Sequence, residues 1–156
     1  MNTKTEPHDG QPARMEIVST RSFAHPRESV FNAFADPAQL AQWWGPNGFT
    51  NTISRFELRP GGVWRFVMHG PDGAGYENTS EFVEIVRPER IVFDHLMPMH
   101  RFRMTMTFED KHGATNLTWR MQFEPDEQNE TLRPLIVHGN EENFDRLAAH
   151  LQKTRR

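Results

Sequence analysis

The sequence predicts an α+β domain of the helix-grip kind. It is a curved seven-stranded antiparallel sheet wrapped around a long C-terminal helix, with two short helices between strands 1 and 2. Three observations carry this reading. Apolar residues alternate with polar ones through Trp64, Phe66 and Met68, through Phe102, Met104, Met106 and Phe108, and through Leu117, Trp119, Met121 and Phe123. Alternation with one polar face marks an antiparallel sheet covered on one side. Tryptophan and glycine are concentrated between Trp43 and Gly75, where three Gly/Pro breaks place large aromatics beside tight turns. The last segment carries Leu132, Ile136, Leu147 and Leu151 on one helical stripe.

Residues 14–23 hold Met15, Ile17, Val18 and Phe23 between Pro12 and Pro26 and read as the first strand. Pro26 and Glu28 suit the start of a helix over 27–35, with Val30, Phe31 and Phe34 at helical spacing. Asp36-Pro37 stops that helix and caps a second, running to about Trp43. So short a helix pair must dock its aromatics on something larger. Residues 50–58 form the second strand and 64–69 the third. Residues 75–86 form the fourth, bulged where its apolar register shifts between Phe82 and Ile85. Ile91, Phe93 and His95 lie on the fifth. The sixth and seventh meet at a hairpin, Asp110-Lys111-His112-Gly113, with Gly supplying the positive φ. Positive φ is also expected at Gly61 and Gly62. One helix is expected over 129–153, with Pro134 in its first turn or at a kink. No strand alternates with long helices, which argues against a parallel sheet.

The 156 residues are the size of one domain, with 14–154 as the domain and 1–13 as a polar, disordered tail. A net charge of −3 of mixed sign, without a basic stripe, argues against nucleic acid. The absence of cysteine excludes disulfides, thiolate metal sites and thiol catalysis. No apolar run approaches the ~20 residues of a membrane span, and the N-terminus lacks an apolar signal core. A cytoplasmic protein is expected. No His-x-His or His-Glu-x-x-His pair, Gly-x-Ser-x-Gly elbow or phosphate-binding glycine loop is present, so no metal and no cofactor are expected.

A sheet that curls away from its helix should leave a cavity between them. The inward set facing that space is Trp64, Phe66, Met68, Phe82, Phe93, Met104, Met106, Trp119, Met121, Ile136 and Phe144, with methionines supplying adaptability. Trp44, beside Trp43, is read either as a lid on a ligand or as packing. Asn140 and Asn143 sit at the centre of the helix stripe, where a buried amide must find a partner. That partner is a ligand or cavity water in one reading, and a sheet backbone group or a Trp indole in the other. His95 continues the inward register of Ile91 and Phe93, and Tyr76 is placed at the pocket mouth.

Several of these motifs occur together elsewhere. Val30-Phe31-Asn32-Ala33-Phe34-Ala35-Asp36-Pro37 followed by Trp43-Trp44-Gly45-Pro46 resembles the SRPBCC (START-like) superfamily. Arg59-Pro60-Gly61-Gly62, Met68-His69-Gly70-Pro71-Asp72-Gly73 and Asn140-Glu141-Glu142-Asn143-Phe144-Asp145-Arg146-Leu147 resemble one bacterial branch of it. These are the homologues of the heat-shock protein 90 ATPase activator C-terminal domain. The resemblance runs from about Met15 to Leu151. It implies the fold and an apolar ligand cavity but no particular reaction, because the family holds binders, lyases or cyclases, and chaperone partners.

The expected function is binding of a small apolar or aromatic molecule between sheet and helix. One alternative is a cyclase, dehydratase or hydrolase using His95, Tyr76 or the asparagines in the same cavity. Another is a module that acts on a chaperone through its outer surface. A homodimer is a further expectation.

Overall fold

In the computed structural model, which describes residues 15–98 and 101–154, seven strands form one antiparallel sheet. The tail expected over residues 1–13 lies outside the described residues. The strands are β1 (Met15–Phe23), β2 (Thr50–Phe56), β3 (Val63–His69), β4 (Gly75–Val86), β5 (Arg90–Met97), β6 (Phe102–Lys111) and β7 (Ala114–Phe123). Their order across the sheet is β1-β7-β6-β5-β4-β3-β2. Strands β2 to β7 are successive neighbours, so β1 and β2 are the two edges. The chain therefore has to cross the sheet between them. It does so through α1 (Arg27–Ala35) and α2 (Pro37–Trp43), with Asp36 capping α2 through Oδ1 on the Ala38 amide at 3.0 Å.

Period-two alternation becomes burial along the middle of the strands, with Met68 and Phe102 at strand ends only partly buried. Trp64, Phe66, Phe82, Phe93, Met104, Met106, Trp119, Met121 and Phe123 are buried on the inner face. Against this face lie the helix pair and α4 (Arg133–Thr154), which buries Asn140, Asn143, Phe144, Leu147, His150 and Leu151. The bulge expected in β4 is present between Phe82 and Glu84. A second, between Thr79 and Ser80, sets Ser80 opposite His95 on β5. Ser80 also pairs with Trp64 on β3.

Three local expectations are refined. The β6–β7 hairpin has two left-handed residues, His112 (φ 56°) and Gly113 (φ 89°), the pattern of a two-residue type I′ turn. At the Gly61-Gly62 turn only Gly61 has positive φ (82°). Gly62 is needed for another reason: a Cβ there would overlap the Glu57 carbonyl oxygen. Lastly, the C-terminal helix is two, α3 (Glu127–Thr131) and α4, which meet at Leu132. Pro134 has no N–H to give the Glu130 carbonyl, so the helical ladder is interrupted there.

His150 lies between α4 and α2 with Nε2 3.0 Å from Gln39 Oε1, an acceptor, so the neutral ring carries its proton on Nε2. Nδ1 is buried without a partner. Burial holds the His150 pKa below the ordinary histidine value; Lys153 adds to the effect and Asp36 opposes it. The folded state thus binds the proton less readily than the unfolded chain. Stability should be complete above about pH 6.5 and fall as pH drops through that value towards the lower folded pKa. Urea titrations between pH 7.5 and 5 should show this slope, and His150→Gln should flatten it. Gly62→Ala should cost about 3 kcal/mol in the same assay, since backbone must move to admit the methyl.

Candidate functional site

The interior is built from aromatic rings. Trp64 stacks on Phe66 (ring centroids 4.5 Å apart) and Phe82 (6.2 Å) and meets Phe93 edge-on at 5.3 Å. From the helix pair, Phe34 reaches Trp64 at 5.7 Å and Trp44 at 5.3 Å. The half-buried Trp44 then touches two strands at once, lying 5.3 Å from Trp64 on β3 and 5.4 Å from Trp119 on β7. Four interstrand spacings separate β3 from β7, about 19 Å in a flat sheet. One indole bridges them only because the sheet is strongly curled. Phe144 of α4 completes the line, 4.6 Å from Trp119. Open space was expected among Trp64, Phe66, Met104, Trp119 and the helix. Along the line Trp64–Trp44–Trp119–Phe144 side chains in contact fill it, because the helix pair docks its rings there.

The loop that carries Trp44 is held by its backbone. Asn143 Nδ2 donates to the Trp43 carbonyl at 3.1 Å. Arg146 Nη1 donates to the carbonyls of Trp44, Gly45 and Pro46 at 3.3, 3.0 and 2.8 Å, and its Nη2 to that of Gln42 at 3.3 Å. Asn51 Nδ2 serves the Ala41 and Trp44 carbonyls at 3.3 and 2.8 Å. Glu142 accepts from the Asn47 amide at 3.1 Å. Gly45 (φ 101°) and Gly48 (φ 88°) turn the chain here. A Cβ on Gly45 would stand 2.7 Å from the Met68 methyl. Burial lowers the Arg146 pKa.

Asn140 is held differently, with Nδ2 3.2 Å from Ser19 Oγ on β1 and 3.4 Å from Met121 Sδ. Both asparagines have partners within the protein, but not the sheet backbone group or Trp indole expected: Asn140 reaches a hydroxyl and a thioether, and Asn143 a carbonyl at the end of α2. Met68, Ile136 and Met121 line the same interior beside the rings. His95 is half-buried at the edge of this face, stacked on Phe102 at 4.8 Å with Nε2 3.0 Å from the Pro98 carbonyl. Tyr76 is 44 % exposed, its ring 6.4 Å from Phe49. A cleft of about 220 Å³ lies at the sheet rim among Asp94, His95, Arg101, Phe102, Arg103 and Gln122, apart from the tryptophans. Among the described residues no group of three His, Asp or Glu side chains is gathered as a metal site would require.

Three donors on the inner face have no hydrogen-bond partner within the protein: the indole N–H groups of Trp64 and Trp119 and the Ser80 hydroxyl. Each residue is only 1 % exposed. By contrast, the Trp43 indole donates to the Ala33 carbonyl at 2.9 Å. Buried polar groups are ordinarily paired, so three without partners on one face set this region apart. Sequence reasoning missed Ser80 and Arg146. Alternation through Asn78, Ser80 and Phe82 could have shown the first; the second, set among the acidic residues of the helix, gave no signal.

Removing the Asn143 amide leaves the buried Trp43 carbonyl without its donor. Asn143→Leu should destabilise the protein by about 1–3 kcal/mol in urea unfolding. Asn140→Leu should cost less, because its partners are a hydroxyl and a weakly accepting thioether.

The comparisons with known proteins agree with this geometry. Residues 24–152 match the family model described as Activator of Hsp90 ATPase homolog 1-like protein. No match was found among curated proteins. A protein from Arthrobacter aurescens, solved by NMR, superposes with a TM-score of 0.82 at 25% identity, covering 88% of this chain and 86% of its own. A Mycobacterium smegmatis protein gives 0.78 at 26% identity, covering 90% and 92%. An AHSA1 protein from Silicibacter pomeroyi gives 0.77 at 21%, covering 90% and 100%, a likeness of fold alone. With most of its length inside the family model and its fold shared with these structures, the chain belongs to the Activator of Hsp90 ATPase homolog 1-like family, within the SRPBCC superfamily.

Proposed function

We propose that this protein binds an apolar or aromatic small molecule in the interior between the sheet and α4. The observation that carries the reading is the set of orphaned donors at Trp64, Trp119 and Ser80, buried among rings and methionines. A pocket with large apolar walls and a few convergent polar groups is the usual form of a small-molecule site. Met68, Met104 and Met121 bring flexible side chains to those walls, which lets the interior repack around a guest. The asparagines and Arg146 hold the frame, leaving the rings and the orphaned donors for the ligand. Acid–base chemistry has less support here, since Tyr76 is largely exposed and His95 is already engaged with Phe102 and the Pro98 carbonyl.

A second reading has one feature in its favour. Leu135 is 67 % exposed and Val137 is also exposed near the start of α4. Together with the family's description, that supports a chaperone-binding module acting through its surface.

Nile red, a neutral apolar dye, should bind with enhanced fluorescence at one site per chain. Trp119→Ala should change its affinity at least about fivefold, and Leu135→Asp should leave it unaltered. Native mass spectrometry of protein purified from its own source should find a retained small molecule. Absence of dye uptake, together with heat-shock protein 90 binding that Leu135→Asp abolishes, would exchange the first reading for the second.

A further inference from the structure

We infer that the ligand is a neutral, planar molecule of about the size of an indole, bearing an acceptor oxygen, and that it takes the place of the Trp44 ring. This rests on the reading of the interior as a binding site and adds the class of ligand.

The polarity of the site sets the charge. An indole N–H only donates, and neither Trp64 nor Trp119 has an acceptor within the protein. The Ser80 hydroxyl can join them as a third donor. Arg21, the basic side chain of the inner register of β1, is already held by Glu141 and Asp145 at 2.6 Å each. Arg146 is spent on backbone carbonyls. A carboxylate placed between the tryptophans would be a buried charge without a cation, which is heavily disfavoured. An ammonium group would meet donors and no carboxylate. A carbonyl oxygen satisfies an indole N–H with no charge to desolvate.

The packing sets the size. Trp44 is the ring in contact with both Trp64 and Trp119, and it is the half-buried one of the three. Its backbone is held by hydrogen bonds to the carbonyls of residues 42–46 and from its own N–H to the Leu40 carbonyl at 3.1 Å. None of these involves the indole. Rotation about the side-chain torsions of Trp44 therefore withdraws the ring without breaking the clamp. What it vacates is the space of one indole, walled by the two rings whose N–H groups have no partner.

Three naphthalenes of matched shape test this by equilibrium dialysis: 2-acetylnaphthalene, 2-ethylnaphthalene and 2-naphthoate. The acetyl compound should bind at least about tenfold more tightly than the ethyl compound, with naphthoate weakest. Trp64→Phe or Trp119→Phe should shrink the acetyl-over-ethyl ratio several-fold, the ratio being read within each variant so that the smaller ring's effect on both compounds cancels. Trp44→Ala should tighten binding of the acetyl compound, because no ring competes for the slot. The wild-type ratio needs no variant to fold. Equal binding of the acetyl and ethyl compounds, or preference for naphthoate, overturns the ligand class while leaving an interior site in place. Weakened binding of the acetyl compound in folded Trp44→Ala overturns the displacement. Failure of all three compounds to bind both wild type and Trp44→Ala overturns the interior site itself.

Discussion

The contact of one indole with two distant strands determines the shape of this molecule. Trp44 touches Trp64 on β3 and Trp119 on β7, and the strands between them must curl to allow it. Curling gives the sheet a concave face, and a concave face can hold a helix. The same contact explains the helix pair. The chain has to travel from β1 at one edge to β2 at the other, and the shortest covered route runs across that face. Phe31, Phe34, Leu40 and Trp43 are buried along the way, so the crossing supplies the middle of the core. Phe31 meets Phe108 on β6 at 5.2 Å, and Phe34 meets Phe93 at 6.4 Å.

The C-terminal helix docks by a mixture of apolar and polar contacts, and the polar part has a local cause. A helix ends with carbonyls that find no amide within it. At the end of α2 the carbonyls of Ala41, Gln42, Trp43 and Trp44 each accept from a side chain: Asn51, Arg146, Asn143, and Asn51 with Arg146. Two of those donors belong to α4. The helix stripe therefore could not be wholly apolar, since its central positions face the open end of another helix. Neutral amides and one guanidinium are suited to this, because all of them donate to carbonyls without requiring a carboxylate. The guanidinium pays for its place in desolvation, which its lowered pKa records.

The fold was legible because its signals are local. Alternation through Trp64–Met68 or Leu117–Phe123 needs no knowledge of the partner strand, and the inner face follows from it. The β4 bulge between Phe82 and Glu84 was visible as a shift of register. The break at Leu132 was legible only as a choice, because Pro134 interrupts a helix whether it lies in the first turn or at a kink. Much of the site was not legible. Nothing in Trp43-Trp44 says that the first indole finds the Ala33 carbonyl while the second bridges two strands. The two tryptophans stand side by side in the chain, and their environments are set by residues far along it. Asn140 and Asn143 were conspicuous as polar residues in an apolar stripe, but their partners come from β1 and from the α2 terminus. Gly62 illustrates the same limit. A glycine needed for close approach looks like one needed for positive φ until the Glu57 carbonyl is placed beside it.

The division of polar groups on the inner face connects the frame to the site. Asn140, Asn143 and Arg146 donate to acceptors within the protein, and those hydrogen bonds fix α4, α2 and β1 relative to one another. The Trp64 and Trp119 indoles, which only donate, and the Ser80 hydroxyl, which donates or accepts, have no hydrogen-bond partner there. Apolar residues of similar shape at these positions would avoid the cost of burying unpaired N–H groups. Phenylalanine would stack as tryptophan does at Trp64, where Phe66 and Phe82 already supply parallel rings. The packing alone therefore does not account for an indole there. An unpaired donor is a cost in the empty protein; under the function proposed above it would be the anchor for an acceptor in the occupied one. The clamp on the Trp44 backbone would keep that change local, because its hydrogen bonds run to the loop carbonyls and none involves the indole.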